Sequence, residues 1–358
     1  MQAATTRTAM IIGGTGQLGA AAARRLAVDG WSVLIAHRGQ HAGDTSLADL
    51  DVTTIRLDRD DTVSLLARAR GHDLVVDTVA YDEHHADQLA QLAGEVGSLV
   101  VISTGSVYVG ANGSYLDVVA GPEDFPDFPV PLRETDPVVH NTERTYSPLK
   151  AAMERRLLEA DDLPVSILRP GAIHGPFSPA LREWYFVKRA LDTRRRIVLS
   201  DNGRNRFSTS STVNVAELIS LCGEKPGRRV LNAADRDNLS VAEIAHIIFE
   251  TMGREVEIVT YPGPPVGNLG STPWSVAHPL VMSMDAATVE LGYRQPVSYA
   301  DAVAEDIDWV TREVAATERR GETWQDVFPS MVTRSKADGW FDYATEDEYF
   351  ASRATVRH

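Results

Sequence analysis

The chain has 358 residues, with 35 basic and 50 acidic side chains and a formal net charge of −15. That length allows one large domain or two coupled ones, and 43% hydrophobic with 24% charged residues is a globular rather than a disordered composition. The acidic balance argues against nucleic acid as a partner, and the single cysteine, Cys222, excludes a disulfide framework or a cysteine-based zinc site. No apolar run approaches the 18 or so residues of a membrane span, and residues 1–9 lack a secretory core, so a cytoplasmic protein is expected.

Short apolar runs at 9–12, 32–36, 53–57, 74–79, 99–103 and 165–168 are predicted strands. Most are continuously apolar, as strands covered on both faces are. Between them, amphipathic patterns at 17–28, 62–70, 83–96 and 143–160 predict helices. This alternation predicts an α/β fold, a doubly wound parallel sheet of the Rossmann kind. The second half is less regular. A helix is expected at 179–192, strands at 230–232 and 256–259, and a helix at 241–252 opened by a Ser240/Glu243 capping box. Two long loops, 110–137 and 261–279, interrupt the pattern, and a long loop in a compact fold is commonly functional. The basic run Arg194-Arg195-Arg196 reads as a solvated helix end.

Gly13-Gly14-Thr15-Gly16-Gln17-Leu18-Gly19 joins the first strand to the first helix. Glycines there permit a tight turn and close approach to a pyrophosphate, whose charge the helix N-terminus favours. An NAD-specific site places an acid near the end of the second strand for the ribose 2′-hydroxyl. Here His37 and Arg38 stand there, and a guanidinium suits a 2′-phosphate. NADP(H) is therefore the expected cofactor, with NAD(H) as the alternative. Asp58, ending the third strand, either meets the adenine amino group or serves as the N-terminal acid of the next helix.

Tyr146 and Lys150 lie four residues apart, on one face of a helix. With four lysines in the chain, about 0.1 such pairs are expected by chance. An ammonium nearby favours phenolate, so the phenol can exchange a proton with a carbonyl or alcohol. A third member is expected where the fifth strand ends, in Ser103-Thr104-Gly105-Ser106-Val107-Tyr108, because ligands collect at the carboxyl ends of parallel strands. Adjacent His84 and His85 have no third ligand placed by spacing, and no metal is expected.

Together these motifs resemble the extended short-chain dehydrogenase/reductase superfamily, the NAD(P)-dependent epimerase/dehydratase group, over roughly residues 9–310. The resemblance implies a catalytic Thr104, Tyr146 and Lys150, with Lys150 holding the nicotinamide ribose. It implies cofactor contacts from Gly13, Thr15, Gly16, Gln17, Leu18, Gly19, His37, Arg38, Asp58, Arg59, Val79, Ala80, Tyr81, Lys150, Pro170, Gly171 and Ile173. Substrate contacts would come from Ser106, from His174 in Arg169-Pro170-Gly171-Ala172-Ile173-His174-Gly175-Pro176, and from Arg206, which is alternatively a strand-end charge. It also implies a homodimer.

Departures narrow the reaction. Gly105 and Ser106 replace the Asp-Glu pair of sugar-nucleotide dehydratases, so dehydration lacks its catalysts. Asn214 replaces a usual acid, and Tyr81 stands where a small residue is usual. Three readings follow: an NADP(H)-dependent ketone reductase or alcohol dehydrogenase acting on a small-molecule or sugar-like substrate, a nucleotide-sugar epimerase with retained NAD(P), and a cofactor-binding protein without turnover. The first is favoured by the basic end of the second strand. The expected domains are 1–170, with 207–235 returning to it, for the cofactor, and 171–206 with 236–310 for substrate. Residues 311–358 form an aromatic-rich extension, expected to pack back over the cleft or on a neighbouring subunit.

Overall fold

The computed structural model describes residues 6–39, 47, 50–120, 124–334 and 339–355. Seven strands form one parallel sheet: β1 (Thr8–Ile12), β2 (Ser32–His37), β3 (Val52–Arg56), β4 (Leu74–Asp77), β5 (Leu99–Ile102), β6 (Val165–Pro170) and β10 (Arg229–Ala233). Their order across the sheet is β10-β6-β5-β4-β1-β2-β3, so the direction of winding reverses between β1 and β4. Ligands bind in the crevice such a reversal opens.

Successive strand side chains point to opposite faces, and in β1 both sets are apolar. Ala9 and Ile11 pack against α1 (Gln17–Val28) and α6 (Thr212–Glu224), whereas Met10 and Ile12 join the layer of α2 (Thr62–Ala69), α3 (Glu83–Ala90) and α4 (Tyr146–Glu159). Both faces are therefore dry, and the continuous apolar runs follow from that. The expected helix over 83–96 ends early, at Ala90, and gives way to turns.

Beyond β6 the chain forms two small parallel pairs, β7 (Ala172–His174) with β9 (Thr209–Ser211) and β8 (Arg196–Leu199) with β11 (Glu257–Thr260). A second core joins α5 (Trp184–Leu191), α7 (Val241–Thr251) and α9 (Tyr299–Glu318). The capping box of Ser240 and Glu243 opens α7 as expected. A short helix, α8 (Asp285–Leu291), packs on β10.

The extension adds α10 (Trp324–Val327), α11 (Pro329–Arg334) and α12 (Tyr343–Thr355). Trp324 and Phe328 pack on Trp184, and Phe341 packs on Tyr185. Buried Arg189 donates to the Trp340 carbonyl and pairs with Glu346, each at 2.7 Å. The extension thus packs on the outer side of α5, and none of its described residues lines a cleft of the catalytic region. The basic run follows the end of α5 with Arg195 and Arg196 exposed, but it is not wholly solvated. Arg194 pairs with Asp347 and Glu346, and Arg196 lies over the Phe350 ring, so the run is where the extension docks.

Candidate active site

Two clefts open along the carboxyl edge of the sheet. The first, of about 320 Å³, is lined by Gly13, Thr15, Gly16, His37, Arg38, Asp58, Arg59, Val79 and His85, among others. The helix behind it, α1, starts at Gly16 with no side-chain cap and no acid in its first turn. Its leading N–H groups and positive dipole end are thus left for an anion, which is the fit expected for a dinucleotide's pyrophosphate. Gly19 packs so closely that a Cβ there would lie 2.4 Å from the Gly13 carbonyl oxygen.

Around the adenosine end the residues separate by role. Arg38 is exposed and lines the cleft, with no ion-pair partner among the described residues. His37 accepts the Gly39 amide on Nδ1 at 3.0 Å. The helix-capping acid of α2 is Asp61, which accepts the Ser64 amide at 3.1 Å. Asp58 instead stays exposed on the cleft, its side chain accepting the Asp60 amide. His85 also borders this cleft; its Nδ1 accepts the Tyr81 amide at 2.9 Å.

The second cleft, of about 740 Å³, holds Thr104, Ser106 and Tyr146 together with Gln17, Pro170, Gly171 and Ile173. Thr104 follows β5 and caps the turn after it, its Oγ1 accepting the Ser106 amide at 3.1 Å and lying 3.0 Å from the Ser106 hydroxyl. Tyr146 opens α4 and is 42% exposed. Asp117, from the long loop 110–137, fixes that helix start by accepting the Ser147 amide at 2.7 Å and its hydroxyl at 2.6 Å. Leu116, Val119 and Phe125 of the same loop line the cleft; its residues 121–123 lie outside the described residues.

One turn along α4, Lys150 is 5% exposed. Its ammonium donates to the Ala80 carbonyl at 2.6 Å and the Ile102 carbonyl at 2.9 Å, 6.0 Å from the centre of the Tyr146 ring. Burial pulls its pKa down to about 8, against the opposing pull of the Asp77 and Glu154 carboxylates. A part-exposed phenol and a nearly dry cation thus share one helix face beside the cleft.

Two expected contacts fall elsewhere, and a third is tied to neighbouring side chains. His174 is 1% exposed and absent from the cleft, held between Asp306 at 2.6 Å and Asp235 at 3.0 Å. Burial alone would depress its pKa, but the two carboxylates hold it well above the ordinary histidine value. It joins β7 to α9 and to Asp235, just past β10, because a strand of period two turns Ile173 toward the cleft and His174 away from it. Arg206 is also off the cleft, donating to the Asn238 carbonyl and lying 3.7 Å from Glu243. Arg59 borders the first cleft, but its guanidinium is committed to Asp77 and Gln88.

Sequence reasoning missed Arg182, which lines the second cleft, stacks over the Phe207 ring at 4.4 Å and donates to the Pro273 carbonyl. It sits just before α5, and no spacing marks it. Asp77 and Asp117 were missed as well. Asp77 did carry a signal, a carboxylate closing the apolar run Leu74-Val75-Val76.

The profile of the NAD dependent epimerase/dehydratase family matches residues 9–234. No curated protein sequence matches the chain. Among solved structures, the chain is similar to dTDP-glucose 4,6-dehydratase from Bacillus anthracis in complex with NAD, at 16% identity and a TM-score of 0.63, covering 86% of this chain and 97% of that one. It is likewise similar to UDP-N-acetylglucosamine 4-epimerase from Bacillus cereus, at 18% identity and a TM-score of 0.64, covering 84% and 98%. The Bordetella bronchiseptica enzyme WbmG, in complex with NAD and UDP, matches at 19% identity and a TM-score of 0.62, covering 85% and 94%. At these identities they are likenesses of fold.

Proposed function

The chain belongs to the NAD dependent epimerase/dehydratase family, and from that premise we propose that it is a nucleotide-sugar epimerase that retains its cofactor, with NADP(H) preferred over NAD(H). The observation carrying this reading is that Thr104, Ser106 and Tyr146 share a cleft of about 740 Å³ with Arg182 and Phe207. A cleft of this size has room for far more than a small ketone. A guanidinium beside an aromatic ring provides the charge and the stacking face that a nucleotide diphosphate engages. The epimerase reading thus replaces the simple ketone reductase as the better-supported one.

The Gly13–Gly19 loop and the N-terminus of α1 would hold the pyrophosphate, Arg38 the 2′-phosphate, Asp58 the adenine, and Lys150 the nicotinamide ribose. When bound, the dinucleotide supplies hydride acceptance and return. Tyr146 takes the hydroxyl proton of the reacting carbon and gives it back, while Thr104 hydrogen-bonds the same oxygen. Lys150, its buried positive charge on the same helix face as the phenol, favours the phenolate. Dehydration has no support: Asp117 is the one carboxylate among the described residues of the cleft, and both its oxygens accept from Ser147.

A second reading, net reduction of a ketone, draws on the basic end of β2, since NADPH is the reductant such an end suits. Incubation with NADP(H) and a panel of UDP- and dTDP-sugars separates the two. Epimerisation gives an isomer, seen by NMR, with no net change in reduced-nicotinamide absorbance. Stoichiometric loss of that absorbance would favour the reductase.

A further inference from the structure

Resting on the reading that Lys150 serves the cofactor, we infer that Arg59 is a positioning residue for Lys150, acting through Asp77 and the turn that follows β4. The Arg59 guanidinium lies 2.9 Å from Asp77, with the two side chains 9% and 0% exposed. Its other arm donates to Gln88 on α3, whose amide in turn donates to Thr62 at the start of α2. Asp77 uses its second oxygen to accept the amides of Val79 at 2.9 Å and Ala80 at 2.7 Å. The carbonyl of that same Ala80 receives the Lys150 ammonium at 2.6 Å.

Each link in this chain has a physical reason. A carboxylate with no exposure needs a paired cation, and removing that cation leaves its charge uncompensated. Asp77 accepts three donors at once and so anchors the Asp77–Ala80 turn. The turn then fixes where a carbonyl awaits Lys150. Arg59 follows Asp58, which borders the dinucleotide cleft, so the same connection couples the adenosine end of the cleft to the lysine beside the catalytic tyrosine.

The charged groups facing Lys150 are Asp77 from β4, Glu154 from α4 itself and Arg59 behind Asp77. The chain has four lysines, so protein labelled with 13C and 15N at the lysine side chain gives four ammonium signals, and Lys150→Arg identifies one of them. In Arg59→Met the Lys150 signal is expected to move while the other three stay. NADPH affinity should fall about 10- to 100-fold, the usual loss when a supporting partner is removed, and Arg59→Lys should restore part of both. Should Arg59→Met not fold, Arg59→Lys alone is expected to move the same signal by a smaller amount. A Lys150 signal that stays in place overturns the inference. If affinity falls while that signal stays, Arg59 touches the cofactor directly. A Tyr146→Phe variant with normal turnover would instead overturn the functional reading and leave the lysine result standing.

Discussion

The rings of Tyr81 and Tyr146 lie 5.9 Å apart and 48° from parallel, so the residue next to the Lys150 acceptor packs against the proposed proton carrier. Tyr81 stands where the family resemblance leads one to expect a small side chain, and it steers the phenol it touches. Aromatic pairs of this kind contribute about 0.5–1.5 kcal/mol. Tyr81→Ala is therefore expected to lower kcat by about 2- to 10-fold, as measured by steady-state kinetics. An unchanged kcat would remove Tyr81 from the site's support.

The proposed preference for NADP(H) rests on Arg38. Its exposed guanidinium on the cleft wall has no ion-pair partner among the described residues. A hydrogen bond to a charged group contributes about 1.5–3 kcal/mol. Arg38→Ser should weaken NADPH binding by about 10- to 100-fold and leave NADH binding where it was, read by fluorescence titration. Equal losses for both dinucleotides would show that Arg38 does not read the 2′-phosphate.

The buried His174 cluster makes stability depend on pH. A histidine whose folded pKa is raised adds stability that is full below its unfolded value, about 6.5, and is lost as pH climbs through the folded value. His174 has its pKa raised in this way, with Asp235 and Asp306 as partners and Glu183 and Tyr299 packed alongside. Thermal melts from pH 6.5 upward should therefore show a falling Tm in the natural chain. His174→Gln should lose about 3–5 kcal/mol of stability near neutrality, because it strands two buried carboxylates, and should flatten that slope. Parallel slopes for the two proteins would contradict the assignment.

Gly19 tests the phosphate loop. A methyl at Gly19 would meet Gly13 oxygen at 2.4 Å and Gly14 Cα at 2.5 Å, contacts with backbone that no rotamer relieves. Overpacking of this sort costs about 1–3 kcal/mol. Gly19→Ala should lower Tm by several degrees and weaken dinucleotide binding. A variant that binds as tightly as the natural chain would mean that the loop does not carry the pyrophosphate.

Much of the fold is legible in the sequence because β1, β4, β5 and β6 are dry on both faces, and dryness writes itself as apolar runs. The proposed catalytic set is legible because Tyr146 and Lys150 are fixed by one helix turn and Thr104 by the end of a strand. What fails is long-range pairing. His174 looks like a cleft residue by position, yet its role depends on Asp306, 132 residues away. Arg59 borders the cleft beside Asp58, but its pairing with the buried Asp77 is not written in the sequence. The pairs β7 with β9 and β8 with β11 are each brief, and α6 begins immediately after β9, so no turn residue separates them.

The central claim is that Tyr146 moves the proton while the dinucleotide sits in the neighbouring cleft, and Tyr146→Phe tests it most directly when turnover and NADPH affinity are measured on the same preparation. General acid–base groups contribute roughly 100- to 10,000-fold, so turnover should fall by that factor with the cofactor bound as tightly as before. Undiminished turnover in the phenylalanine variant would contradict the account.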